Sequence, residues 1–150
     1  MQEMKEAIRE EDFLGEIYKN AKMGADSIIN LLPKVKDDGM RSAMTMQLDG
    51  YERYAARAQK ELEARGAEAK EENVMTRLSA RFGMAFNTML DSTTSHIAEM
   101  MIEGSNMGIT DMTKLLNNFE VCNGDSEAVR LAREVVRFEE HNLEMLKPYL

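Results

Sequence analysis

The chain is poor in residues that crosslink, interrupt or stack. Its 150 residues include one cysteine, two prolines, two histidines and no tryptophan. Cys122 alone cannot form an internal disulfide, so an intracellular, cytoplasmic protein is expected. It sits in VCNGD, a turn-like stretch with no histidine close by, and reads as a structural or incidental thiol rather than a nucleophile. Between Pro33 and Pro148 no proline forces a helix to break. Aromatic residues make up 6%, too few for a row of base-stacking platforms. No basic cluster stands out, and the net charge of -8 opposes non-specific binding to nucleic acid or anionic lipid. No apolar run is long enough to span a bilayer, and MQEMKEAIREED lacks an apolar signal core. Neither a nucleic acid nor a membrane is therefore an expected partner.

What is present is helix-forming. Ala, Leu, Met, Glu, Lys and Arg dominate, and 43% of the residues are hydrophobic, enough for one domain over 1–150 with a real core. Leu14, Ile17, Tyr18, Ala21, Ala25, Ile28 and Leu32 recur in threes and fours, predicting a helix from about Glu6 to Leu32 that stops at Pro33. Met40, Met44, Leu48, Tyr51, Ala55, Ala58 and Leu62 predict a second from about Asp37 to Arg65, ended by Gly66. A third is expected to begin between Glu72 and Arg81. Its apolar face runs through Leu78, Phe82, Met89, Thr93, Met100 and Met107, then Met112, Leu115, Leu116 and Phe119. So long a helix predicts a bend or interruption near Gly104–Gly108. Asn123-Gly124 makes a turn, and Asp125 or Ser126 can cap a fourth helix to about Lys147, striped by Val129, Ala132, Val136, Glu139, Leu143 and Leu146. Four amphipathic helices with short links predict an all-α, up-down four-helix bundle.

The turn of about 100° per residue sorts the polar side chains. Gln47 falls inside the second stripe and Glu139 inside the fourth, whereas His141 points away. Ser92, His96, Glu99 and Glu103 form a polar ridge along the edge of the third helix, expected to line a crevice shared with a neighbour. The first helix offers no inward carboxylate at its middle, since Glu16 and Asp26 point aside and Glu11 lies nearer the edge.

The stretch YKNAKMGADSIINLLPKVKDDGMRSAMTMQLDGYERYAARAQKELEARG resembles the first helical hairpin of small ferritin-like, rubrerythrin-like proteins. SHIAEMMIEGSNMGITDMTKLLNN is similar to a stretch of a bacterial branch of that superfamily. The resemblance implies a ferritin-like bundle. The family's two-metal centre uses Glu-x-x-His on two helices. This sequence has none, carrying instead the reversed His96-x-x-Glu99, and Gln47, Asp49 and Glu52 without a histidine on the second helix. The resemblance therefore does not carry ferroxidase or peroxidase activity with it.

Two readings of the inward polar groups follow. His96, Glu99, Glu103 and Glu139 could hold iron, manganese or zinc through one nitrogen and several oxygens. Alternatively, the same residues with Gln47 form a hydrogen-bonded seam completed by the hydroxyls of Tyr18 and Tyr51. The seam is the favoured reading, with no cofactor. The 14 methionines suit irregular helical packing; a Cu(I) site would need several sulfurs clustered, which spacing alone does not show. No phosphate loop or hydrolase motif emerges. Met101, Gly104, Gly108, Met112 and Leu115 suggest a helix face for self-association, with a twofold dimer expected. The leading expectation is a non-enzymatic protein acting through self-association or a protein partner, and the alternative is a non-standard metal-binding bundle.

Overall fold

A computed structural model describes residues 9–68, 91–123 and 126–150. Four long helices make an up-down bundle: α1 (Glu10–Leu31), α2 (Asp38–Ala64), α3 (Thr94–Asn123) and α4 (Glu127–Leu146). Short 3-10 turns, Leu32–Lys34 and Lys147–Tyr149, follow α1 and α4, each carrying a proline in its first residues. Among the described residues there is no strand.

The ends are set by local chemistry. Three acids, Glu10, Glu11 and Asp12, occupy the first turn of α1, where the helix dipole favours negative charge. Asp37 caps α2, its Oδ1 accepting from the Met40 N–H at 2.8 Å. Gly66 ends that helix at φ +70°, with Ala67 N–H donating to Leu62 O at 2.9 Å and Gly66 N–H to Glu63 O at 3.0 Å. This pair of bonds satisfies carbonyls that the helix end leaves free. Ser126, one of the two expected caps, caps α4 by accepting from the Val129 N–H at 3.2 Å.

The third helix departs from expectation at its start. Thr93 lies before it and caps it, accepting from the His96 N–H at 3.2 Å, so α3 begins at Thr94. Leu78, Phe82 and Met89, on which the earlier start rested, lie outside the described residues. The helix is long as expected, and of the bend or interruption expected near Gly104–Gly108 the interruption is not present, the helix being continuous through both glycines. A chain of intact helical bonds tolerates isolated glycines at about 1 kcal/mol each, and packing recovers that cost here.

The packing shows how. α1 lies chiefly against α2 and α3 against α4. Phe13 of α1 meets Phe119 of α3 with ring centroids 4.3 Å apart. Tyr51 of α2 meets Phe138 of α4 edge-on at 4.9 Å. Large side chains enter where a neighbour has no Cβ. A Cβ on Gly24 would lie 2.5 Å from the Tyr51 ring. One on Gly50 would collide with Phe138, and one on Gly108 with the carboxyl of Glu139. On the outside, Arg57 of α2 grips Glu134 of α4 through two bonds of 3.1 and 2.9 Å. That pair holds the Glu134 carboxyl below its usual range, but both partners are well exposed, so it adds little stability.

Candidate functional site

At mid-bundle the apolar core gives way to a polar cluster. Its centre is Glu139 of α4, 2% exposed. Asn20 Nδ2 of α1 donates to Glu139 Oε1 at 2.7 Å, and the Tyr51 hydroxyl of α2 donates to Oε2 at 3.0 Å. The backbone of α3 closes the fourth side at Gly108. Four helices thus converge on one carboxyl group. Among the described residues, Asn20, Gln47, Ser105 and Asn142 are the other buried polar residues of the core, each less than 10% exposed. Gln47 Nε2 makes a long 3.5 Å bond to the backbone carbonyl of Asn142. Gln47 Oε1 and Asn142 Nδ2 are buried without a hydrogen-bond partner among the described residues.

Burial governs the electrostatics. It pushes the Glu139 carboxyl up to about 7, against the opposing hydrogen bonds from Asn20 and Tyr51 and with a smaller push from the charge of Asp111. The Tyr51 hydroxyl is also raised, first by burial and then by the Glu139 charge and their mutual bond. The side chains of Ser105 and Asn142 oppose that shift from nearby, the latter without the geometry of a formed bond. The centre therefore holds a carboxyl poised between neutral and ionised near neutral pH.

Beside this carboxyl is a cavity of about 40 Å³. Asn20, Ser27, Tyr51, Ser105 and Glu139 supply its polar lining. Met23, Met100, Met101, Met107, Ile28 and Leu31 form most of the rest. The space exceeds what a single water needs.

The seam expected from the sequence is present in part. Glu139 and Tyr51 are joined, Gln47 lies in the same buried layer, and Tyr18 is buried on α1. His96, Glu99 and Glu103 are not brought to it. His96 is half-buried with Nδ1 3.9 Å from Glu99 Oε2, while Glu99 and Glu103 stand exposed. Among the described residues, no three His, Cys, Asp or Glu side chains gather in a metal-holding group. The residues expected to form a self-association face point into this bundle. Met101 and Met112 are buried in its core, Leu115 packs against it, Gly104 lines the cavity and Gly108 abuts Glu139.

Sequence reasoning passed over Asn20, Ser105 and Asn142, although each sits at core spacing. Asn20 lies three residues after Ile17, and Asn142 three after Glu139 and four before Leu146. Ser105 lies four after Met101 and three before Gly108. The signal was a polar residue in phase with apolar ones.

These features define a class: a four-helix up-down bundle with a buried carboxyl centre fed by all four helices. Compared with protein-family models, with curated proteins and with solved structures, the chain matches none.

Proposed function

We propose that this protein is a non-catalytic binding protein whose functional centre is the cavity beside Glu139. One observation carries the reading: a carboxyl group held in the core by hydrogen bonds from two other helices faces a cavity rather than a filled core. Burying a carboxyl is costly and a bundle of this kind packs well without one. Placing it beside a cavity suits uptake of a small polar ligand. Ligand-observed NMR with a library of small fragments tests this. Fragments should compete for one site and shift the methyl signals of Met100 and Met107; fragments that bind without moving these signals, or a blank screen, would overturn it.

Self-association through a partner or a second copy is the second reading, favoured by Ile29 and Met46, which are 51% and 67% exposed on the α1–α2 hairpin. A dimer mass by light scattering that reverts to monomer in a Met46→Glu variant supports it, and a monomer at all concentrations defeats it. A ferritin-like kinship goes beyond the four-helix architecture itself, which many bundles share, and the two-metal chemistry of that superfamily is no part of the proposal.

A further inference from the structure

We infer that the cavity beside Glu139 binds a small primary ammonium ion carrying a short apolar tail. The inference rests on the binding-protein reading and adds the ligand's chemistry. Three observations carry it. First, an ionised carboxylate offers about four acceptor positions and no donor. Asn20 and Tyr51 each fill one, leaving capacity for a further donor. Second, none of the described lining residues is basic, so none of them gives the carboxylate a positive partner. A ligand that brings one cancels the buried charge. Third, the hydroxyls of Tyr51 and Ser105 also line the cavity, and the Ser105 oxygen can accept a further bond, which matches a ligand with more than one N–H donor.

The rest of the cavity selects the tail. Met23, Met100, Met101 and Met107 give a flexible, polarisable wall that adapts to a short alkyl chain. The small volume favours a short chain, of which ethylammonium and propylammonium are simple representatives. A hard divalent cation is poorly matched, because Glu139 is the one carboxylate among the described lining residues and such ions take several oxygen ligands. A quaternary ammonium brings charge but no N–H donors.

The test titrates the full chain with propylammonium at pH 8, where the carboxyl is largely ionised, at constant ionic strength. Methionine methyl NMR reads the cavity directly. Propan-1-ol, of equal heavy-atom count and uncharged, is the matched probe, and Glu139→Gln is the matched variant, checked for folding by circular dichroism. Saturable shifts at Met100 and Met107 are expected with propylammonium, with affinity about tenfold or more weaker for the alcohol and for the variant. Equal affinity for ammonium and alcohol overturns the ammonium assignment while leaving the cavity a binding site. No shift with either probe overturns both. The alcohol comparison needs no variant, so the assignment stays falsifiable should E139Q misfold.

Discussion

Replacing Glu139 by Gln isolates the cost of the buried carboxyl. The amide keeps size and shape, and its oxygen can still accept from Asn20 while its NH₂ faces Tyr51, whose hydroxyl turns from donor to acceptor. Only the titration disappears. In the folded protein this carboxyl is raised to about 7 from 4.5. Below pH 4.5 the folded and unfolded chains both hold the proton, and stability is at its full value. As the pH climbs from there towards 7 the unfolded chain releases the proton and the folded one keeps it, so stability falls. Above about 7 both have released it and the loss levels off. The span corresponds to about 3 kcal/mol. For a chain of this size that is roughly 6–12 °C in Tm. Urea unfolding of wild type and E139Q at half-unit steps from pH 4 to 8.5 gives the difference curve, in which all other titrations cancel. E139Q should match wild type near pH 4 and exceed it by about 3 kcal/mol at pH 8. A difference that stays flat across that range would refute the reasoning, because Glu139 would then titrate alike in both states.

Gly108→Ala should destabilise the fold by about 1–3 kcal/mol despite the better helix propensity of alanine, since its Cβ meets the Glu139 carboxyl. In a Glu139→Ala background the loss should vanish, and a double-mutant cycle with additive effects would contradict that contact. Asp37→Ala should cost about 1 kcal/mol in urea unfolding, through the lost bond to the Met40 N–H. His96→Ala should change stability by less than about 0.5 kcal/mol, because its ring is half-exposed and 3.9 Å from an exposed glutamate; a loss several times larger would put His96 at the heart of the fold.

Much of the bundle was legible because helical periodicity is a local property. The stripe from Leu14 to Ile28 is buried as read, as is the one from Met40 to Leu62 apart from half-buried Leu48, and Pro33, Asp37, Gly66 and Ser126 mark ends by chemistry confined to a few residues. Glu139 and Gln47 were placed inward by the same rule. The site was less legible because it depends on how far one helix is slid and rotated against the next. On α4 the buried edge is Val135, Glu139 and Asn142, with Val136 and Leu143 to its side, a small rotation that brings Asn142 into the core. On α3 the eye follows Met100 and Met107 at a spacing of seven; both line the cavity, but Ser105 and Gly108, which also reach the Glu139 layer, fall outside that spacing. His96 drew attention by its chemistry, yet its position at the rim of that face leaves it outside.

The three glycine contacts have a bearing on inheritance. Bare helices can slip along one another by a turn, about 5.4 Å, with small change in the character of the surfaces that touch. Here Tyr51 lodges at Gly24, Phe138 at Gly50 and Glu139 at Gly108, linking α1 to α2, α2 to α4 and α4 to α3. Each tooth fits one notch, so the alignment of the whole set is keyed. A mutation that fills a notch, or one that enlarges a tooth beyond it, meets resistance alone and relief in company. Drift at these positions should proceed by paired exchanges, a larger residue at the notch arriving with a smaller one opposite, while the surface between them changes freely.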